Sequence, residues 1–493
     1  MACEENVCND YMVLKPKDAG FVELIRLLIS SKLEERRFIE YSEEEGREPR
    51  KFGRRRLIFV SVVVQKVLLY VRDPMAQLGH MLVLWLNLAV HYNLRRKNVW
   101  LVAGEVVQPD PLSLVSVVGN LDSRVELDDK VKAGNKKYEA TLCIMASKLS
   151  YENQTFIENV VQNHWKVNLL IKQPYFVVNM MQFLGFYNFW NGYLDEPSTR
   201  AFIFQDKKTD PELIVVAFRG TDPFDADAWR TDFDISWYKL KNVGKMHGGF
   251  VKALGLQRNN SWPSEIQQQQ DSDQKRFAYY EIRKLLKDIL QENKSAKFIV
   301  TGHSLGGALA ILFVAGLAIH EEAWLMEKLE AVYTFGQPRV GDKQFGEFMN
   351  EKLEKFGVRY MRFVYCNDMV PRVPFDDKTL FFKHFGPCLY YNSFYQGKVV
   401  SEEPNKNYFS LLWFIPKCLN AVWELIRSFI IPCIKGPEYK ESWFMRVFRV
   451  VGLVIPGITA HLPPDYVNVT RLGSLPSFTG LHDPIQREDY KAD

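Results

Sequence analysis

The sequence predicts an α/β fold with a mostly parallel central sheet flanked by helices. Apolar runs at residues 213–218, 297–301 and 358–365 have the length and composition of buried strands. An amphipathic helical pattern at residues 277–290 precedes the second run, and an apolar helical pattern follows it from residue 307. Buried strands that alternate with helices are typical of sheets covered on both faces.

The turn after the second predicted strand is the most informative stretch of the chain. It reads Gly302, His303, Ser304, Leu305 and Gly306, and an apolar helix follows it. A G-x-S-x-G turn between a strand and a helix is the nucleophile elbow of the α/β-hydrolase fold. The glycines permit the tight turn, and the serine hydroxyl is lifted above the end of the sheet. We therefore predict the α/β-hydrolase fold with a serine nucleophile; the alternative is a tight loop with a buried serine.

A serine nucleophile needs a histidine base, which follows the nucleophile and the acid in this fold. Four histidines follow Ser304 along the chain. His320 lies near the end of the nucleophile helix, and His482 lies in a polar tail. We favour His461, which opens a rigid proline-containing loop, over His384, which is flanked by aromatic residues.

The acid that orients the base is expected at the end of a strand. Asp368 lies in the loop after the third predicted strand and is followed by a proline-rich segment. Asp376 and Asp377 are the alternatives, although their position is typical of solvated side chains. Asp368 is the favoured acid.

An oxyanion hole needs a donor besides the backbone N–H of Leu305. The first predicted strand ends in Arg219, Gly220 and Thr221, and the glycine permits a close turn. Thr221 can offer both its N–H and its hydroxyl to a developing negative charge. The alternative is an ordinary Gly-Thr turn.

Six motifs in the same order resemble the class 3 lipase family, which includes secreted fungal lipases and many plant acylhydrolases. Within that family the chain most resembles the plant oil-body triacylglycerol lipases, through residues 196–202 and 460–466. The six motifs are residues 218–221, Trp229 with Asp232, and residues 247–250, 302–308, 335–341 and 367–374.

The resemblance implies roles for the candidate residues. Ser304 is the nucleophile, Asp368 the acid and His461 the base, while Thr221 and Leu305 form the oxyanion hole. It also implies that the segment after Thr221 is a lid. Residues 222–230 fit that role because Phe224 and Trp229 stand among charged residues.

The resemblance also implies a reaction. The expected activity is hydrolysis of triacylglycerols, and of di- and monoacylglycerols, through an acyl-enzyme intermediate. A phospholipase or galactolipase would use the same residues, and an acyltransferase would need acyl transfer to be faster than hydrolysis. A non-enzymatic droplet-coat protein would leave the Ser, Asp and His set unexplained.

Composition and charge exclude several functional classes. A net charge of +4 over 493 residues is too small to indicate nucleic-acid binding. Seven scattered cysteines indicate reduced thiols in a cytosolic setting.

No Cys/His cluster has metal-ligand spacing and no Gly-rich loop suits a nucleotide, so we expect neither metal nor cofactor. The N-terminus lacks a signal peptide, so we expect a protein that is not secreted. Nothing in the composition indicates an oligomeric state.

We expect three regions along the chain. Residues 1–136 form an N-terminal helical, lipid-associating region with an apolar segment at 57–92. Residues 137–470 form the α/β-hydrolase domain, which carries an apolar insertion at 406–458. Residues 471–493 form a tail.

The apolar segment at 57–92 is flanked by basic residues and divided by Arg72, Asp73 and Pro74. Its first half is shorter than the roughly 20 residues needed to cross a bilayer. We expect an apolar hairpin that enters a lipid-droplet monolayer, or a membrane surface, from the cytosolic face. The alternative is a helical pair packed on the catalytic domain.

The insertion at 406–458 is apolar and contains several prolines, which predict short helices. Arg446 and Arg449 fall on one helical face, with aromatic and aliphatic residues elsewhere. This pattern predicts an interfacial helix or the wall of an acyl groove.

Overall fold

The structure is a computed structural model that describes residues 8–29, 36–42, 52–97, 114–128, 131, 133, 136–165, 180–257, 275–374, 381–406, 408 and 411–474. Its strands are β1 (Cys8–Leu14), β2 (Ile39–Tyr41), β3 (Met181–Asn191), β4 (Glu196–Asp206), β5 (Leu213–Phe218), β6 (Trp237–Leu240), β7 (Gly244–His247), β8 (Lys297–His303), β9 (Leu329–Phe335), β10 (Arg359–Tyr365), β11 (Cys388–Tyr391) and β12 (Gly397–Val400).

The helices occur before, between and after these strands. They are α1 (Phe21–Ile29), α2 (Phe52–Lys97), α3 (Val117–Leu121), α4 (Lys136–Leu149), α5 (Gln154–Asn159), α6 (Ala226–Phe233), α7 (Gly248–Leu254), α8 (Ala278–Glu292), α9 (Leu305–Ile319), α10 (Ala323–Lys328), α11 (Lys343–Lys355), α12 (Phe414–Lys435), α13 (Trp443–Val454) and α14 (Pro463–Leu472).

The main sheet has eight strands in the order β12-β11-β10-β9-β8-β5-β4-β3. Its five central strands, β5 and β8 to β11, pair in parallel, while β3, β4 and β12 are antiparallel to their neighbours. The three strands predicted from the apolar runs are therefore present. Because β5, β8 and β10 run in the same direction, their carboxyl ends meet at one edge of the sheet. This is the α/β-hydrolase fold, as the sequence predicts.

Both faces of the main sheet are covered by apolar side chains. Helix α9 is buried on every side, because it packs between the sheet and helices α7, α8 and α10. Helices α4 and α14 cover the opposite face. An apolar sequence with little helical amphipathicity suits a helix enclosed in this way. The surrounding side chains hold the start of α9 rigidly at the end of β8.

A second, antiparallel sheet ties the N-terminal region to the hydrolase domain. Its order is β2-β1-β6-β7, so β1 from the N-terminus pairs with β6, which lies between two strands of the main sheet in sequence. The N-terminal region thus contributes strands as well as helices. Side chains of this region pack against those of the hydrolase domain.

The predicted hairpin at residues 57–92 is wrong, because this segment belongs to one continuous helix, α2, that runs through Pro74. Proline removes one backbone hydrogen bond, to the carbonyl of Tyr70, four residues earlier. Tyr70 is 87% exposed, so water can bond that carbonyl and no turn is needed. Within the described residues, no helix is long and apolar enough to cross a membrane.

The insertion also differs from the prediction of short helices. Helix α12 extends over 22 residues with Pro432 inside its last turn, and α13 packs against it. Pro432 cannot donate to the carbonyl of Ser428, four residues earlier, but Arg446 Nη2 of α13 donates to that carbonyl at 3.2 Å, so it is not left unpaired.

Candidate active site

Ser304 lies at the junction of β8 and α9 with φ 57° and ψ −130°, a strained conformation for a residue with a side chain. The flanking glycines make this turn possible. A Cβ atom on Gly302 would lie 2.1 Å from the carbonyl carbon of Gly306, and one on Gly306 would lie 2.3 Å from the carbonyl oxygen of Phe218. The elbow predicted from the sequence is therefore sterically restricted to glycine at both positions.

The structure brings Ser304, His461 and Asp368 together in one hydrogen-bonded chain. The Nε2 atom of His461 lies 2.8 Å from the Ser304 Oγ, and its Nδ1 lies 2.9 and 3.0 Å from the Asp368 carboxylate oxygens. A carboxylate only accepts hydrogen bonds, so Nδ1 carries the proton and Nε2 accepts from the serine hydroxyl. This tautomer leaves Nε2 able to take the serine proton.

The alternative bases have other partners. His384 donates from Nε2 to the carbonyl of Pro371 at 2.7 Å, and His320 bonds the hydroxyl of Tyr279. His482, like the alternative acids Asp376 and Asp377, lies outside the described residues.

Two further groups hold the Asp368 carboxylate in place. The hydroxyl of Tyr466 donates to Oδ2 at 2.5 Å, and the backbone N–H of Val370 donates to Oδ1 at 2.9 Å. Sequence reasoning missed Tyr466 as a partner of the acid. The available signal was its place in the motif at residues 460–466 that also contains His461.

His303 supports the backbone of His461. Its Nε2 donates to the His461 carbonyl at 2.7 Å, so its Nδ1 accepts from the hydroxyl of Tyr151 at 2.9 Å. Burial, with the nearby His461, lowers the pKa of His303 well below its usual value, so the ring is neutral. Tyr151 was not predicted, because nothing in its local sequence marks it.

Thr221 and Leu305 flank the elbow from two sides. Leu305 is the first residue of α9, where its backbone N–H has no partner within the helix. Residue 218 of β5 pairs with Gly302 of β8, and a Cβ atom on Gly220 would lie 2.6 Å from the His303 carbonyl oxygen. The loop that carries Thr221 therefore touches the elbow.

The carboxyl group of Asp232 lies behind Thr221. Thr221 Oγ1 is 3.3 Å from Asp232 Oδ2, and both side chains are buried. Burial raises the pKa of Asp232 to about 7, against the opposing effects of His461 and the Thr221 hydroxyl. The sequence marked Asp232 only as part of a motif, without a role.

The segment after Thr221 packs beside the site, where Asp232 contacts Thr221. We call residues 222–233 the lid segment; they comprise the expected lid at 222–230 and the rest of helix α6. Phe224 packs in an apolar cluster with Leu462, the neighbour of His461, and the indole of Trp229 donates to the Pro223 carbonyl. Ser304 itself is only 2% exposed.

Nothing in the described part of the chain groups three or more His, Cys, Asp or Glu side chains as metal ligands. The reactive groups at the elbow are a hydroxyl, an imidazole and a carboxylate. Their arrangement is able to generate a serine nucleophile and to transfer its proton.

The chain is similar to several known proteins. The family described as lipase (class 3) matches residues 215–378. The chain is 40% identical to "Triacylglycerol lipase OBL1" of Arabidopsis thaliana, over 94% of this chain and 95% of that protein. It is 41% identical to the protein of the same name from Nicotiana tabacum, over 85% and 83%. The solved Rhizomucor miehei lipase propeptide complex aligns at 22% identity and a TM-score of 0.36, over 56% of this chain and 80% of that one. Because these two plant relatives match most of its length, the chain belongs to the class 3 lipase family.

Proposed function

We propose that this chain is a triacylglycerol lipase that cleaves carboxylic ester bonds with Ser304, His461 and Asp368. The observation that carries the proposal is the unbroken hydrogen-bonded chain from the serine hydroxyl to the carboxylate, on a strained elbow. The full-length relatives named triacylglycerol lipases support the substrate class.

The first half of the reaction transfers the acyl group to the enzyme. The Ser304 oxygen bonds to the ester carbonyl carbon while its proton passes to His461 Nε2, and the carbonyl electron pair moves to the oxygen. When this intermediate collapses, the bond to the glycerol oxygen breaks and His461 returns its proton to that oxygen. The Asp368 carboxylate orients the imidazole and stabilises its positive charge.

The second half releases the fatty acid. Water gives a proton to His461 and bonds to the acyl carbon, and the Ser304–acyl bond then breaks with return of that proton to the serine. In both halves the negative oxygen is stabilised by the N–H groups of Thr221 and Leu305 and by the Thr221 hydroxyl.

The test is a substrate panel with product identification. Purified chain is assayed on emulsified triacylglycerol, phosphatidylcholine and galactolipid, next to Ser304→Ala. Fatty acid and diacylglycerol from triacylglycerol, absent in the variant, are the expected result. Faster release from phosphatidylcholine or galactolipid would contradict the proposed substrate class, and equal activity of Ser304→Ala would contradict the proposed nucleophile.

The second part of the proposal is that helices α12 and α13 contact the lipid surface, a droplet monolayer reached from the cytosol. Their polarity is reversed relative to helices that face water. Lys417, Glu424 and Arg427 of α12 and Arg449 of α13 are buried. Many apolar side chains of both helices are exposed, among them Ile415, Leu419, Phe429, Ile434, Trp443, Val450 and Val454.

The buried charges explain why the apolar side faces outwards. Arg449 bonds both Asp465 and Glu424, at 3.0 and 3.3 Å, and Arg427 bonds Asp465 at 3.0 Å. Asp465 belongs to α14, four residues after His461. Turning the helices over would leave these charges unpaired, at a cost of several kcal/mol. Arg449, on the polar face of the predicted interfacial helix, therefore points inwards.

An exposed apolar surface of this extent is rare on proteins that face only water, and it commonly marks an interaction site. It continues onto α2, because Trp85 packs edge to face on Trp443 with ring centres 5.9 Å apart. An enzyme for water-insoluble acylglycerols has to meet an apolar surface, so we assign this face to lipid.

The double variant Ile415→Glu/Leu419→Glu tests this assignment. We expect at least a tenfold loss of activity on emulsified triacylglycerol and loss of flotation with phospholipid-coated droplets, while hydrolysis of a soluble short-chain ester is unchanged. Gln344→Glu/Asn350→Glu adds the same charge to exposed positions of α11 and serves as the matched control. Unaltered flotation of the first variant would exclude α12 as the lipid contact, and flotation with bilayer vesicles alone would exclude the droplet.

A further inference from the structure

Helix α2 lies along the whole lid segment, on the side away from the hydrolase core. At one end the hydroxyl of Ser61 donates to the carbonyl of Phe233 at 2.8 Å. In the middle Arg72 Nη1 lies 3.3 Å from Asp227 Oδ2. Further on, Gly79 is so close to the lid that a Cβ atom there would lie 2.6 Å from the Cβ of Phe224.

The contacts with the lid fall on one face of α2. Positions 61, 72, 79 and 83 are separated by 11, 7 and 4 residues, close to whole turns of an α-helix. At the last of them, Val83 packs in the same apolar cluster as Phe224 and Leu462. Helix α2 therefore packs along the lid segment, and that segment reaches the candidate site through the contact of Asp232 with Thr221.

The opposite face of α2 is apolar and exposed. Its positions are three, four or, once, eight residues apart. They lie about 200° around the helix from the lid contacts, because position 70 is two residues from contact position 72, and 81 is two residues from 83. We call this face the outer stripe; it consists of Val67, Tyr70, Leu78, Met81, Trp85 and Leu88.

We infer that α2 is a lipid-sensing latch: it holds the lid closed in water, and its binding to lipid releases the lid. This inference rests on the proposed lipase function. In water, separation of α2 from the lid segment would expose Val83 and Phe224, so the closed state is favoured. At a lipid surface these side chains are covered by lipid together with the outer stripe.

Lipid therefore binds the open state over a larger apolar area than the closed state. A ligand shifts an equilibrium only through such a difference in affinity between two states. Surface docking and lid release are then a single coupled step. The exposed Arg72–Asp227 pair adds a contact that breaks without leaving a buried charge.

A disulfide between the helix and the lid tests the latch. In the double variant Gly79→Cys/Phe224→Cys the two Cβ positions have to separate by about 1 Å to reach the 3.5–4.5 Å of a disulfide. We expect the oxidised protein to lose at least 90% of its activity on emulsified triacylglycerol and to regain it on reduction. Both single variants, assayed oxidised and reduced, control for the natural cysteines.

Two results would overturn the latch. A cross-linked protein, verified by mass spectrometry, with full activity would show that helix and lid need not separate. Failure of the pair to cross-link would show that the contact between positions 79 and 224 does not form. If the wild type itself releases no fatty acid from triacylglycerol, the proposed function fails instead, whatever the cross-link does.

A second variant tests the latch without oxidation. Gly79→Leu places a side chain where Phe224 lies and should weaken the closed state. We expect a threefold or greater rise in hydrolysis of a soluble ester in the absence of lipid. Gln77→Leu, which adds the same side chain at an exposed position of α2, is the matched control. No rise in a folded Gly79→Leu protein would contradict the latch.

Discussion

Thr221 and Asp232 share a buried hydrogen bond whose direction depends on the charge of the carboxyl group. An ionised Asp232 accepts a hydrogen bond from the Thr221 hydroxyl across the 3.3 Å between them. A protonated Asp232 can donate to Thr221 instead and leave the threonine proton for a substrate oxyanion. Among the described residues, Oδ1 of Asp232 has no hydrogen-bond partner, which also disfavours the ionised form. The proton on Asp232 therefore controls how Thr221 can act.

Thr221→Val should lower kcat with little change in binding to lipid. Valine keeps the shape and the backbone N–H of the residue but removes its hydroxyl. Loss of one oxyanion donor typically costs about 2.7–4 kcal/mol of barrier, or about 10²–10³ in rate. The measurement is kcat on a soluble ester and flotation with droplets. An unaltered kcat would mean that Thr221 acts only through its backbone.

Asp232→Asn should flatten the alkaline side of the kcat profile. With a pKa of about 7, Asp232 is protonated below that pH and ionised above it. As pH rises from 6 to 8, the wild type should therefore lose the Thr221 donor, whereas the asparagine amide donates to Thr221 at every pH. We expect kcat of the wild type, relative to the variant, to fall about tenfold over this range, less than the 10²–10³ for a donor removed outright. A constant ratio would exclude this role.

Asp232 should also make stability depend on pH. Its pKa in the folded state, about 7, lies above its ordinary value of 3.8, so the folded state binds this proton more tightly. The resulting stability is full below about pH 4 and is lost as pH rises through 7, by up to about 4 kcal/mol. Urea unfolding of wild type and Asp232→Asn at pH 4 and pH 8 measures the difference, and other carboxyl groups cancel in the comparison. Parallel pH dependence of the two proteins would contradict the prediction.

Tyr466→Phe should reduce kcat about 10- to 100-fold with little change in KM. The phenol donates to the Asp368 carboxylate at 2.5 Å, and hydrogen bonds to charged groups contribute about 1.5–3 kcal/mol. Tyr395→Phe is the matched control, since its hydroxyl donates to a different buried carboxylate, Asp465. Equal losses of kcat in both variants would point to general destabilisation instead.

His461→Ala should be nearly as inactive as Ser304→Ala, because residues that act as a unit are not additive. His384→Ala should retain activity on a soluble ester and lose only stability, since His384 bonds the Pro371 carbonyl and not the nucleophile. Steady-state rates of the three variants test the assignment. The opposite pattern, with His384→Ala inactive and His461→Ala active, would assign the base to His384.

The sequence alone located three strands of the central sheet and the candidate residues that follow them. Local apolar patterns locate β5, β8 and β10, and the parallel direction of these strands brings Thr221, Ser304 and Asp368 to one edge. Steric demands at Gly302 and Gly306 are equally local. Such features are readable because each depends on a few neighbouring residues.

The groups that support the site were not readable in this way. Tyr151 and Tyr466 lie 152 and 98 residues from the side chains they bond, at His303 and Asp368. Asp232 is 11 residues from Thr221, with the lid segment between them. A tyrosine or aspartate in an ordinary helix or loop carries no local mark of such a partner. Only the folded chain shows which hydroxyl meets which carboxylate.

Tertiary packing also decided how the two apolar regions are arranged. The sequence determined that α2 is largely apolar and that α13 has an apolar and a polar face, because composition and helical spacing are local. It did not determine whether Pro74 forms a turn, which depends on water reaching the Tyr70 carbonyl, nor which face of α13 points inwards. Asp465 and Glu424 settle the second question, since they lie in the core where Arg449 finds its partners. Burial and pairing of charge are properties of the whole fold, and only the tertiary structure specifies them.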